Sequence, residues 1–184
     1  VGSDPDGFFV SNGQIYFFAD DGVKGRELWT TDGTAQGTQL VLDLNSDAPD
    51  GFDGNTLGEI NGKQLVVADD GSTGWELWAT DGSAAGTSLV KNINTTSANA
   101  STTFGEADGY FQNKILFTAD DGVNGQELWT TDGTESGTYM LADINETGLG
   151  QSSNPSELAI TESGQMAYFV ADDGIHGWEL WAVS

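Results

Sequence analysis

Glu27-Leu28-Trp29-Thr30-Thr31-Asp32-Gly33-Thr34 runs on through Ala35-Gln36 to Gly37-Thr38, and the phrase returns at residues 76–87 and 127–138. A fourth copy, Glu179-Leu180-Trp181, stops at Ala182-Val183-Ser184 before any Asp-Gly-Thr. Ahead of every copy stands Ala-Asp-Asp-Gly, opening at Ala19, Ala68, Ala119 and Ala171. The four tryptophans, Trp29, Trp78, Trp129 and Trp181, fall 49, 51 and 52 residues apart, so the chain is four versions of one unit. Repetition at that period predicts an array of small β-units, because a single unit cannot bury its own apolar face.

Within each unit the apolar residues form short runs bounded by Gly, Asp and Asn, the pattern of strands joined by turns. The first run covers residues 7–10, 56–60, 104–107 and 156–160, and the second 14–19, 63–68, 114–119 and 165–171. The third carries the Glu-Leu-Trp phrase at 26–30, 75–79, 126–130 and 178–183, and a fourth comes after it in three units, at 38–44, 87–93 and 138–144. Asn12-Gly13 and Asn61-Gly62 read as the first hairpin turns, since these residues tolerate positive φ, with Asp108-Gly109 and Ser163-Gly164 at or near the equivalent places. The Asp-Asp-Gly and Asp-Gly-Thr stretches read as turns whose Asp side chains bond their own backbone N–H groups.

A four-stranded antiparallel meander at this period is the unit of a β-propeller. The expected fold is all-β: a single four-bladed propeller domain over 1–184, with repeats of approximately 1–49, 50–99, 100–150 and 151–184. The last blade lacks its fourth strand, which makes 15 strands in all. Half of an eight-bladed ring, completed by a second chain, is the alternative. The expected repeat core is Trp29, Trp78, Trp129 and Trp181 with Leu28, Leu77, Leu128 and Leu180. The strand edge at Leu180, Trp181, Ala182 and Val183 is a template for another chain.

The phrase Glu-Leu-Trp-x-x-Asp-Gly-Thr, with x-x-Gly-Thr after it, resembles the ELWxxDGT repeat proteins of bacteria and archaea. The resemblance covers nearly the whole chain and departs only in the last unit. It implies a secreted or cell-surface propeller-like module, and carries no general enzymatic activity with it.

Composition narrows the partners. The formal net charge is −24, with five basic residues against 29 acidic ones, which repels nucleic acid and anionic membrane surfaces. Such acidity suits a salty or calcium-rich exterior, where counterions screen self-repulsion. No apolar stretch is long enough for a transmembrane helix. Cysteine is absent, so there is no disulfide framework and no thiolate site. A chain that begins at Val1 reads as a processed or excised product, and secretion is the expected localisation.

No residue set reads as a catalytic centre. The one histidine, His176, occupies a turn slot held by Lys24, Thr73 and Asn124 elsewhere. The paired carboxylates Asp20-Asp21, Asp69-Asp70, Asp120-Asp121 and Asp172-Asp173 recur with the repeat, whereas a two-carboxylate hydrolase needs two acids in unlike environments. The same aspartates are either turn caps or oxygen ligands for calcium; no cofactor is required, and calcium is the one that they suit. Asn94, Asn99 and Asn145 match the N-glycosylation acceptor pattern. Trp75 and Trp178 stand before Glu-Leu-Trp in two units only, as candidate ligand contacts or as edge packing. The sequence therefore predicts a non-catalytic extracellular protein that self-associates into a surface assembly, filament or tube; the alternative is a carbohydrate- or surface-binding adhesin.

Overall fold

The computed structural model describes residues 2–46, 50–97, 102–105 and 109–184, and these form strands and turns without a helix. The chain divides into two compact units, 1–92 and 93–184. In the first unit, β1 (Asp6–Ser11), β2 (Gln14–Asp20), β3 (Arg26–Thr31) and β4 (Gln39–Leu42) form one sheet. A second sheet is made of β5 (Phe52–Ile60), β6 (Lys63–Ala68), β7 (Glu76–Thr80) and β8 (Ser88–Lys91). The second unit holds β9 (Thr103–Phe104), β10 (Gly109–Phe111), β11 (Lys114–Asp120), β12 (Gln126–Thr131) and β13 (Tyr139–Ala142) in its first sheet. Its other sheet has β14 (Ser156–Ile160), β15 (Ala167–Asp172) and β16 (Trp178–Val183).

Every pairing is antiparallel and joins neighbours along the chain, apart from β9, which pairs β11. The protein is thus all-β, built from four meanders of about the expected size. The last sheet has three strands, with β16 at its edge.

The third repeat differs from expectation. Where sequence places its first strand at 104–107, the structure has β9 and β10, so the described residues hold 16 strands where 15 were expected. Gly109 opens β10, and its hairpin turn falls a few residues on, at Gln112-Asn113, with φ of 49° and 61°. The reason is register. Phe111 pairs Lys114 as Ser11 pairs Gln14 and Ile60 pairs Lys63, and this common two-residue connection outranks an Asp-Gly dipeptide nearby. In the fourth repeat β15 starts at Ala167 rather than Gln165, because the Thr161 and Met166 backbones pair across a longer turn (N···O 2.9 Å).

Each unit has its own apolar core. In the first, Phe18 and Leu28 pack with Phe52, Val66, Ala68 and Trp78 of the next sheet. In the second, Phe111, Leu116 and Leu128 pack with Ala167, Phe169 and Ala171, and Trp181 lies against them. In both, the Leu of one Glu-Leu-Trp phrase turns toward the next sheet, while the Trp of the next phrase turns back to meet it. Alternation along a strand sends adjacent Leu and Trp to opposite faces, which is what lets one phrase pack in both directions.

Candidate functional site

Within each unit the repeat phrase of the first sheet is a joint to the second. Leu28, Leu77 and Leu128 are buried, as are Trp78 and Trp129, whereas Trp29 and Trp181 are half-buried. The indole N–H groups of Trp29 and Trp181 donate to the Ala19 and Ala171 carbonyls at 3.0 and 3.3 Å. Those of Trp78 and Trp129 are buried without an acceptor among the described residues.

The glutamate of the phrase is a buried acceptor. Glu27 is fully buried; its Oε2 accepts the Leu44 N–H at 3.0 Å and its Oε1 accepts the Gly51 N–H at 2.9 Å. Glu127 repeats this with Ile144 N–H at 3.2 Å and Ser153 N–H at 2.9 Å, and the Ser153 hydroxyl adds a third bond. Gly51 and Ser153 lead into the next sheet, where their carbonyls accept the Asp69 and Asp172 N–H groups, each at 3.0 Å. One carboxylate therefore ties a sheet to the chain entering its neighbour. Desolvation by burial pushes the Glu27 carboxyl up to about 7 and raises Glu127 as well.

The paired aspartates are engaged by their own turns. Asp20 Oδ1 accepts the Gly22 N–H at 2.6 Å, and Asp21 Oδ1 accepts Val23 and Lys24 N–H at 2.8 Å each. Asp69 and Asp70, Asp120 and Asp121, and Asp172 and Asp173 repeat the pattern. Backbone N–H bonds, that from Lys24 foremost, hold the Asp21 carboxyl below its ordinary range. In Asp173 the His176 N–H leads the same effect, lowering it to about 2, and the His176 ring is raised by its bond to Asp173. Among the described residues no group of three or more acidic or histidine side chains is placed to hold a metal ion.

The second turn explains the rest of the phrase. Asp32 Oδ1 accepts the Thr34 N–H and hydroxyl at 2.9 and 2.7 Å, while Thr34 Oγ1 accepts Gly37 N–H at 3.0 Å. Thr31 Oγ1 accepts the Gly33 N–H at 3.0 Å and shares a 2.7 Å hydrogen bond with Thr38. The turns at Asp81 and Asp132 are built alike, with Ser83 doing the work of Thr34 in the first. Each letter of Thr-Asp-Gly-Thr-x-x-Gly-Thr thus has a local bond to make.

Asn45 and its counterparts Asn94 and Asn145 form a further repeated element that sequence reading did not assemble, although their spacing tracks that of the tryptophans. A Cβ on Gly71 would lie 2.8 Å from Asn45 Oδ1, and one on Gly174 2.4 Å from Asn145 Oδ1, so glycine there admits the incoming amide. Asn94 and Asn145 each accept the hydroxyl of the Thr two residues on, at 2.7 and 2.6 Å. Asn145 is 7% exposed, with its amide nitrogen donating to the Ser152 carbonyl. Asn99 lies outside the described residues.

The fourth repeat stands apart. Glu179 and Leu180 are exposed, Leu180 to 72%, and Trp178 is 56% exposed, whereas Trp75 is half-buried. Ala182 is exposed and Val183 half-buried on the β16 edge. At the other end of the sequence, Ser3, Pro5, Phe17, Ala19, Asp20, Asp21, Trp29 and Thr38 line a cavity of 320 Å³ on the first sheet.

No family model and no curated protein matches the chain. Among solved structures it is similar to a puromycin hydrolase, at 18% identity and a TM-score of 0.57, over 100% of this chain and 27% of that one. A mutant of puromycin hydrolase complexed with PGG gives 17% identity and 0.55, over 98% and 26%. The chain spans about a quarter of the length of these proteins, and at such identity the likeness is one of fold. No helix among the described residues is long and apolar enough to cross a membrane.

Proposed function

We propose that this is a non-catalytic, extracellular structural protein of the ELWxxDGT type, whose propeller-like blades self-associate into a surface assembly. The observation that carries the reading is the contrast within the repeat phrase: Leu28 and Leu128 are buried against the next sheet, while Leu180, the same residue of the same phrase, is 72% exposed. A leucine exposed in that position offers apolar surface to a partner. The reading is supported by the single histidine, which is exposed and bonded to a turn aspartate, and by the paired aspartates, which cap their own turns.

Association brings together chains of charge −24, so it should strengthen as salt or divalent cations screen the repulsion. Light scattering and sedimentation over a range of protein, salt and calcium concentrations test the reading. Mass rising with concentration and salt is the expected result, and a monomer under every condition overturns it.

A second reading, a glycan-binding adhesin, draws on Trp178, an exposed indole of the kind that stacks on sugar rings. A glycan array with a Trp178→Ala control decides it: binding that survives the substitution, or no binding at all, removes it.

A further inference from the structure

We propose that the cavity beside Asp143 binds a primary alkylammonium group, with the Asp143 carboxylate as its anchor. The site lies within the second unit, between the segment that follows β13 and the turn from β15 to β16, and is independent of self-association. Asp143, Glu146 and Asp173 line a cavity of 520 Å³ together with Ile144, Ile175 and Trp181.

The first repeat shows what a carboxylate at this position takes. Leu42-Asp43-Leu44-Asn45 and Ala142-Asp143-Ile144-Asn145 are the same stretch of the repeat, and Leu44 and Ile144 give their N–H groups to Glu27 and Glu127 at 3.0 and 3.2 Å. Asp43 Oδ2 accepts a charged hydrogen bond from the Lys24 ammonium. In the second repeat both positions are neutral, Thr73 and Asn92. The third repeat keeps the acid without the base: Asn124 stands where Lys24 does, and its amide donates to Asp121 at 2.7 Å instead. Oδ1 is buried without a donor among the described residues in Asp43 and in Asp143 alike. The Lys24 ammonium offsets this in Asp43, whereas no ion pair among the described residues reaches Asp143. A carboxylate so placed gains from a cation that brings its own N–H donors.

The surroundings select the kind of cation. No three acids among the described residues are gathered to hold a metal ion, so the negative field is spread around a volume. Ile144 and Ile175 offer apolar wall to an alkyl stem, and an indole face such as that of Trp181 attracts an ammonium. His176 rests on Asp173 at 2.7 Å and takes up part of its charge, which leaves Asp143 and the exposed Glu146 to carry the attraction. A free amine and the side chain of a lysine present the same group.

The test titrates butylammonium and acetyl-lysine amide into the full chain, with sodium chloride holding the ionic strength constant. The Trp181 indole N–H and the Ile144 and Ile175 methyl resonances report binding, and circular dichroism checks that each variant is folded. Saturable shifts are expected, and Asp143→Asn should weaken binding at least about tenfold through loss of a charged hydrogen bond. Glu135→Gln, the same loss of charge at an exposed turn of the same repeat, should leave it unchanged. Asn124→Lys gives the third repeat the lysine of the first and should abolish binding by supplying the ammonium from within, while Ser136→Lys, of equal charge, should stay within about twofold of the wild type. Equal binding of the two probes assigns the site to free amines, and binding at least about tenfold tighter for the lysine amide assigns it to a peptide lysine. Shifts that fail to saturate, binding that survives Asp143→Asn or Asn124→Lys, or tetramethylammonium binding as tightly as butylammonium would mean that cations only screen the charge of −24, and would overturn the site.

Discussion

Glu127-Leu128-Trp129 and Glu179-Leu180-Trp181 are the same three residues on equivalent strands, β12 and β16, yet only the first set is buried throughout. Leu128 is buried and Glu127 holds two backbone N–H groups and a hydroxyl, while Leu180 and Glu179 face solvent. Their own hairpin partners are equivalent too: Leu128 pairs Thr118 and Leu180 pairs Val170. The difference lies in the neighbours on the far side of each strand. β12 is flanked by β13 and by the segment that leads into β14, whereas β16 is the edge of a three-stranded sheet. The repeat phrase is therefore half of an interface, and its energetic weight depends on whether the other half is present.

Substitutions at paired positions put numbers on that contrast, measured by chemical denaturation of dilute protein. The largest effect belongs to Trp78→Ala, which should cost about 3–5 kcal/mol through loss of buried area and the cavity left behind. A cost under about 1 kcal/mol would mean that the indole does little packing. Leu128→Ala should cost about 2–5 kcal/mol and Leu180→Ala less than about 0.5 kcal/mol, since one empties a core and the other trims a surface. Equal losses at the two leucines would erase the distinction between joint and end.

Glu127→Ala should cost about 2–3 kcal/mol, because the Ile144 and Ser153 N–H groups lose a charged acceptor in a buried place, while Glu179→Ala should stay within about 0.5 kcal/mol of the wild type. A smaller loss, about 1 kcal/mol, is expected from Asp132→Ala, which removes one cap of the Asp-Gly-Thr turn. The fourth repeat has no such turn to weaken.

The buried glutamate also sets a pH dependence. Glu27 titrates near 7 in the folded chain and in the ordinary carboxylate range when unfolded. Between those values the folded state holds a proton that the unfolded state has released, so this group's contribution to stability falls as pH rises from about 4.5 to about 7. Glu27→Gln removes the titration; the stability of the wild type relative to this variant should decline across that window, and a flat difference would refute the burial effect. Asp173, held down to about 2, acts in the opposite sense: its contribution is present above about 4 and is lost as pH falls through about 2.

Much of the fold was legible because its information is local. Thr31, Asp32, Gly33, Thr34, Gly37 and Thr38 bond to one another within eight residues, so their spacing in the sequence is already their chemistry. The Asp-Asp-Gly turns are equally self-contained, which is why turn capping was one of the two roles the sequence offered for these aspartates. The strand periodicity comes from the same short-range signals. Glu27 was harder to read, since its donors lie 17 and 24 residues away and nothing beside it in the chain announces them. The hairpin turn falls a few residues past Asp108-Gly109 because a dipeptide preference is weaker than the register of a hairpin already set by its strands.

The amino-acid order alone determined the repeat, the strands and the turns, because each depends on bonds formed inside one hairpin. Only the tertiary structure decided which leucines are core and which are surface, for burial is a property of the neighbouring sheet and not of the residue. It also decided that Gly51 and Ser153, unlike in residue type, do the same backbone work for Glu27 and Glu127, since a hydrogen bond between sheets selects on position where the sequence displays only identity.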